Sequence, residues 1–237
     1  PGGAPDASAQ SIVDYAALPP FVSAAVQPNV LLLVDNSGSM NNCAYQDTGD
    51  PDCRASSGAG LSDQYTAATT YYGYFDATQC YQYASSKFSP VGAKPCAGTW
   101  DGNFLNWSTM RRLDITKWVM TGGKCNSVRA SENSCTTLRG QDTFNAGACC
   151  QVFYKQFNLT GLVPGINNVR CIRVQSGNFY ILSGAGCSDA VDASYFIRVD
   201  SGVQATGVIQ QVGNKARFGL MVFDDDGTME NGAEVRS

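Results

Sequence analysis

The chain has 237 residues, of which 43% are hydrophobic and 15% charged, so one large domain or two small ones can bury a sizeable core. A formal net charge of −4, a pI near 4.7 and no clustering of Lys and Arg exclude a general affinity for nucleic acid or anionic membranes. No apolar run is long enough to span a bilayer, and the lack of histidine removes both the commonest zinc ligand and the usual general base of a serine hydrolase, so no enzyme is expected.

Residues 1–28 are rich in Pro, Ala and Ser and read as an extended lead-in, because Pro19-Pro20 blocks a helix. The start at Pro1, with no initiator Met or apolar leader, is what a processed or excised piece would show. Residues 30–34 (VLLLV) are apolar at consecutive positions, the pattern of a strand buried on both faces of a parallel sheet. Open α/β sheets place their ligands just past the carboxyl ends of such strands. There the chain carries Asp35, Ser37 and Ser39, alternating oxygen donors with Gly38 between the serines. An all-oxygen set suits a hard divalent cation, Mg²⁺, Mn²⁺ or Ca²⁺, and not zinc or copper. The bland alternative is a turn in which Asp35 and Ser37 bond the neighbouring backbone.

Residues 41–100 are rich in Gly, Ser, Tyr and Cys and show little periodicity, which points to a cross-linked insertion. Its run Tyr71-Tyr72-Gly73-Tyr74-Phe75 is expected to form a local apolar cluster. Residues 101–121 read as one helix, started by Asp101 or Asn103 and stopped by Gly122-Gly123. Phe104, Trp107, Ile115, Trp118 and Val119 share one stripe at helical spacing, a packing face. Arg111 lies in the same stripe and, if buried, needs a carboxylate or carbonyl partner, with Asp114 and the 35–39 region as candidates. Residues 124–200 form a second, β-rich insertion, with strands expected over 151–157, 168–174, 178–182 and 194–199. Residues 203–213 suggest a short helix weakened by Gly207. Residues 217–223 (RFGLMVF) are a second continuously apolar strand. The acidic turn at 224–232, including Asp224-Asp225-Asp226-Gly227, leads into a returning strand near Glu234.

The ten cysteines, Cys43, Cys53, Cys80, Cys96, Cys125, Cys135, Cys149, Cys150, Cys171 and Cys187, contain no Cys-x-x-Cys. An even count without metal spacing reads as a disulfide framework in an oxidising compartment. Ten cysteines allow about 945 pairings. Loop closure favours Cys43–Cys53, Cys80–Cys96 and Cys125–Cys135, with Cys149 and Cys150 then pairing outward with Cys171 and Cys187; a bond between the adjacent Cys149 and Cys150, which would strain the peptide between them, is the less favoured alternative.

Asp-x-Ser-x-Ser after an apolar strand resembles the metal-ion-dependent adhesion site of von Willebrand factor type A domains. The blocks YAALPPFVSAAVQPNVLLLVDNSGSM, YYGYFDATQCYQY, WDGNFLNWSTMRRLDITKWVMTGG, GVIQQVGNKARFGLMVF and NGAEVRS together resemble the N-terminal region of PilY-type proteins, adhesins at the tip of bacterial type IV pili. The resemblance runs from about residue 14 to the end. It implies an α/β fold: a partial type A, Rossmann-like sheet over 29–237 with disulfide-rich, partly β insertions at about 41–100 and 124–200. It also implies metal contacts from Asp35, Ser37 and Ser39, completed by a threonine and an aspartate on loops that this chain does not reach. The chain would thus be a piece of a longer protein whose later part carries a β-propeller, and alone it would bind Mg²⁺ weakly or not at all. The partners implied are minor pilins or a pilus-tip complex, reached through the missing C-terminal region, and a host or surface ligand. The implied location is extracellular, after export through the periplasm, with a part in adhesion and twitching motility. The rival expectation is a structural disulfide-rich module that primes pilus assembly without metal. The sheet supplies the sharpest test: 30–34 and 217–223 must be parallel neighbours, with a helix over 103–120 on one face.

Overall fold

The computed structural model describes residues 27–45, 53, 65–127, 135–141, 151–157, 162–165, 170–184, 187, 190–202, 205–223 and 233–236. Strand β1 (Asn29–Val34) leads into one 3-10 turn, Gly38–Asn41. Strands β2 (Gln79–Ala84), β3 (Lys87–Ala93) and β4 (Trp100–Asp101) precede helices α1 (Gly102–Thr109) and α2 (Arg112–Thr121). Strands β5 (Thr137–Arg139), β6 (Val152–Phe157), β7 (Arg170–Gln175), β8 (Asn178–Leu182), β9 (Val191–Phe196) and β10 (Arg198–Asp200) follow. Helix α3 (Val208–Val212) and strands β11 (Arg217–Phe223) and β12 (Ala233–Arg236) come last.

β1 and β11 lie side by side and parallel, with Val30 opposite Phe218 and Val34 opposite Val222. A long crossover joins them, as parallel pairing requires. β12 returns antiparallel on the far edge of β11, with Met221 opposite Val235. The expected burial of β1 on both faces is not what the structure shows. Leu31 is 57% and Leu33 60% exposed, and Leu220 on β11 is 39% exposed. The expectation failed for a steric reason: no described helix covers the face that carries Leu31 and Leu33.

The single helix expected over 101–121 is two helices. Met110 and Arg111 adopt extended backbone, with ψ of 138° and 160°, and break it. Asp101 caps α1 by accepting from the Phe104 N–H at 3.0 Å. Asp114 caps α2 by accepting from the Arg111 N–H at 3.1 Å. Gly122, at φ 78°, ends α2 in the left-handed conformation that a glycine adopts most easily. The break separates two jobs. All eight residues of α1 are buried, and they pack among the aromatics of the cysteine-rich region, away from the three-stranded sheet. α2 faces that sheet, with Gln210 of α3 at the edge of the same cleft. Gly207 precedes α3 instead of weakening its interior. A Cβ there would lie 2.3 Å from the Met120 carbonyl carbon and the Thr121 nitrogen, so only glycine admits this close crossing.

The two cysteine-rich stretches form one body. A five-stranded sheet in the order β4-β2-β3-β10-β5 takes three strands from the first stretch and two from the second. β6-β7-β8-β9 is an antiparallel meander. Four strands of the first and second stretches carried little sequence signal: β2, β3, β4 and β5. The expected strand over 194–199 is split into β9 and β10 by Ile197. Between the sheets lies an aromatic core. Phe88, fully buried, has Phe75, Trp100 and Phe179 rings at centroid distances of 5.5, 5.6 and 6.0 Å. Tyr71, Tyr74 and Phe75 join this core, while Tyr72 is 59% exposed.

Disulfides join Cys43–Cys53, Cys80–Cys96, Cys125–Cys135 and Cys171–Cys187. Three of these are the local closures expected from the sequence. The outward pairing of Cys149 and Cys150 is overturned, because Cys171 and Cys187 bond each other across a 16-residue separation. Cys149 and Cys150 lie outside the described residues, as does the acidic turn at 224–232. Among the described residues no helix is long and apolar enough to cross a membrane.

Candidate functional site

The chain leaves β1 at its carboxyl end and turns at once. The Asp35 Oδ1 accepts from the Ser37 N–H at 2.7 Å, which folds the loop back over its own start. The 3-10 turn then begins, with the Met40 N–H donating to the Ser37 carbonyl at 3.0 Å. This winding sets the two serines on one side. Their hydroxyl oxygens stand 2.9 Å apart, within hydrogen-bonding distance of each other. Cis ligands of an octahedral Mg²⁺ are separated by √2 times the metal–oxygen distance, roughly 3 Å. The hydroxyl pair therefore already has the spacing that a small hard cation demands. Asp35 is exposed at the same turn. The Asn36 Oδ1 is buried, and no hydrogen bond reaches it among the described residues. The structure thus brings Asp35, Ser37 and Ser39 together on one turn at the strand end. The donor set fits a cation and is incomplete as a shell: the described residues contain no cluster of three or more His, Cys, Asp or Glu side chains.

The break between α1 and α2 holds the chain just after Ser39. The Ala44 N–H donates to the Met110 carbonyl at 2.9 Å, and the Arg112 N–H to the Asn42 carbonyl at 3.0 Å. The Arg112 Nη1 reaches the Ser39 carbonyl at 3.4 Å. Arg111, 1% exposed, sends its Nη1 to the Asn41 carbonyl and its Nη2 to the Gln151 and Val174 carbonyls, at 2.9 and 3.4 Å. Its guanidinium sits 5.1 Å from the Phe153 ring centroid. The sequence left Asp114 and the 35–39 region open as partners; the guanidinium bonds the Asn41 carbonyl just past that region and the Gln151 and Val174 carbonyls, which the sequence did not single out. Asp114, also 1% exposed, accepts from the Arg111 and Gln141 main-chain N–H groups at 3.1 and 2.8 Å. Burial pushes its carboxyl above the usual carboxylate range, against the opposing pull of those hydrogen bonds and of the Arg111 charge. Burial likewise lowers Arg111, to about 10.

Next to the loop, α2 stands over β1 and β11 across a cleft of about 730 Å³. Val34, Leu220 and Val222 form its floor, and Leu113, Lys117 and Met120 its wall. The most consequential side chains that sequence reasoning missed are Asn103 and Asn106. Both are buried on α1, and both bond the 65–76 segment instead of the helix. Their only sequence signal is an i, i+3 spacing on a helix otherwise apolar on that side.

These features define a disulfide-pinned α/β module inserted in the chain between two paired parallel strands, the first of which ends in an oxygen-donor loop. The family model described as "PilY1 homolog, small alpha/beta domain" matches residues 62–200, more than half of the chain, and the chain belongs to that family. The match covers the module and leaves out both the 35–39 loop and the three-stranded sheet. Two proteins of Xylella fastidiosa (strain Temecula1), each called type IV pilus biogenesis factor PilY1 homolog, are similar to it. One is 38% identical over 80 residues, covering 27% of this chain and 7% of that protein. The other is 37% identical over 60 residues, covering 23% and 4%. The chain therefore matches less than a tenth of the length of these curated relatives. No solved structure matches it.

Proposed function

We propose that this chain is a non-enzymatic interaction domain of the type IV pilus apparatus, exported through the periplasm and displayed at the pilus tip. In this reading Asp35, Ser37 and Ser39 hold a divalent cation, with Mg²⁺ the best fit to the spacing. One observation carries the reading: two serine hydroxyls 2.9 Å apart on a turn that directly follows a central parallel strand. The strand order β1-β11-β12, parallel and then antiparallel, supports a type A sheet that later strands would extend beyond β1. When bound, the cation supplies an open coordination position for a carboxylate oxygen of a partner. The family supports pilus-related partners, and the four disulfides among the described residues support export to an oxidising compartment, where such bonds persist.

Calorimetric Mg²⁺ titration of the full-length protein tests the reading. The wild type should bind, and the double variant Ser37→Ala/Ser39→Ala should not. Equal binding by both would refute the metal site. The second reading, a structural module that supports pilus assembly without metal, is favoured by the isolation of Asp35 as the one carboxylate of the turn. It predicts no Mg²⁺ heat in either protein and normal piliation in the double variant.

A further inference from the structure

The cation-site reading places the ligands on the sheet side of the molecule, yet the main chain that carries Ser39 is fastened from the module side. We propose that Arg111 is a positioning residue for the 35–39 loop, coupling cation binding there to the packing of the β6–β7 hairpin. The inference rests on the cation-site reading.

Geometry carries the argument. Arg111 touches neither serine. It bonds the Asn41 carbonyl two residues beyond Ser39, and with the other nitrogen the Gln151 and Val174 carbonyls at the β6 and β7 ends. A planar guanidinium presents its donors in a fixed fork, so the three carbonyls are set relative to one another in a way a flexible ammonium cannot reproduce. A second tie runs alongside. Cys43 is bonded to Cys53, and the Cys53 carbonyl accepts from the Tyr154 N–H on β6 at 2.7 Å. An isolated antiparallel bridge between Cys43 and Arg111 joins the two ties. Lys155 on β6 adds a third tie, donating its Nζ to the Tyr45 carbonyl. The loop after Ser39 is thus bolted to the β6–β7 hairpin at three points among the described residues, and Arg111 is the one that reaches Asn41, the last residue of the 3-10 turn. A shift of the hairpin displaces the Asn41 carbonyl, and the 2.9 Å hydroxyl spacing shifts with it. By linkage, a cation that requires that spacing must in turn restrain the hairpin.

The test uses the full-length protein with Arg111→Lys, Arg111→Gln and, as a control, Phe88→Leu in the aromatic core remote from the loop. Mg²⁺ affinity is measured by calorimetry, and amide hydrogen exchange is followed with and without Mg²⁺. We expect Arg111→Lys to weaken Mg²⁺ binding about tenfold and to speed exchange at Asn42 and Ala44 even without metal. Phe88→Leu should lower the melting temperature and leave the affinity unchanged. In the wild type, Mg²⁺ should slow exchange across β6 and β7, and Arg111→Lys should abolish that effect. If Arg111→Gln does not fold, the lysine variant decides. Unchanged affinity and unchanged exchange in Arg111→Lys would overturn the positioning role while leaving the metal site standing. A wild type that binds no Mg²⁺ would overturn both.

Discussion

Asn106 is the side chain whose loss should be felt most widely for its size. It is fully buried on α1 and makes three hydrogen bonds to a segment more than thirty positions away. Its Oδ1 accepts from the Phe75 N–H at 3.1 Å, and its Nδ2 donates to the Tyr71 and Phe75 carbonyls, each at 2.8 Å. Truncation to alanine removes a hydrogen-bond partner from one amide and two carbonyls in the core. A buried polar group left unsatisfied costs about 1–3 kcal/mol, and the groups here are close enough to relax together, so Asn106→Ala should lose about 3–5 kcal/mol. In a protein of this size that corresponds to a fall in melting temperature of roughly 10–15 °C. Asn106→Asp keeps the shape but turns the donor into a second acceptor facing two carbonyls. It should be at least as damaging at neutral pH. Differential scanning calorimetry with disulfides intact gives the numbers, and hydrogen exchange over 71–76 gives the location. A loss under about 1 kcal/mol for Asn106→Ala would mean that water or a rearranged loop satisfies those groups, and the view of α1 as the pin of the 65–76 segment would fail.

Non-reducing peptide mapping should recover Cys171 linked to Cys187, and the double variant Cys80→Ala/Cys96→Ala, which opens a loop of 16-residue separation, should lose about 3 kcal/mol. A fragment linking Cys171 to Cys149 or Cys150 would contradict the fold of the meander. The Lys87 Nζ lies 2.7 Å from the Asp200 Oδ2 and holds that carboxyl below its ordinary value. A depressed carboxylate stabilises the fold above its unfolded pKa and loses that contribution as pH falls through the folded one. Both groups are partly exposed, so Asp200→Asn should cost at most about 1 kcal/mol at neutral pH and nothing measurable once the pH has fallen below the depressed folded value. A deficit that grows on acidification would reverse the sign of this account.

Legibility in the sequence followed the range of the forces involved. β1 and β11 were readable because continuous apolar runs of strand length have few other uses, and their parallel pairing followed from the long crossover between them. β6, β7 and β8 were readable because their alternation survives in the sequence: Phe153, Lys155 and Phe157 all point inward on β6. Lys155 shows where alternation ceases to report polarity. It is 2% exposed, donates to the Tyr45 carbonyl and sits 4.9 Å from the Trp107 ring centroid. β2 and β3 pair locally as a hairpin, and β4 adds to β2, but their sequences show no regular alternation to mark them; β5 is three residues long and its partner β10 lies far along the chain. In β3 only Phe88 is buried. The helix break at Met110 and Arg111 had no Gly or Pro to mark it. It exists because the backbone there pairs with residues 42–44, a tertiary contact that overrides helical propensity. The three donors of the candidate site were legible as a motif. What holds them was not, since Arg111 acts through carbonyl groups, which carry no residue identity.

The same contact explains why a loop on so thin a sheet can keep a defined shape. Three strands, one of them with Leu31 and Leu33 facing solvent, supply little of the burial that normally fixes a strand-end turn. The module supplies it instead. Its helix α1 is wholly buried, and the break that follows α1 presents two arginines and two main-chain groups to residues 39–44. The module therefore holds residues 39–44 through these contacts. In this arrangement stability is concentrated in the disulfide-bonded module, whereas the oxygen donors sit on the sparsely covered sheet. Damage to the module core should thus reach the loop only when it shifts residues 110–112. This is why Phe88→Leu and Arg111→Lys are expected to part company: the first lowers stability alone, and the second moves the loop.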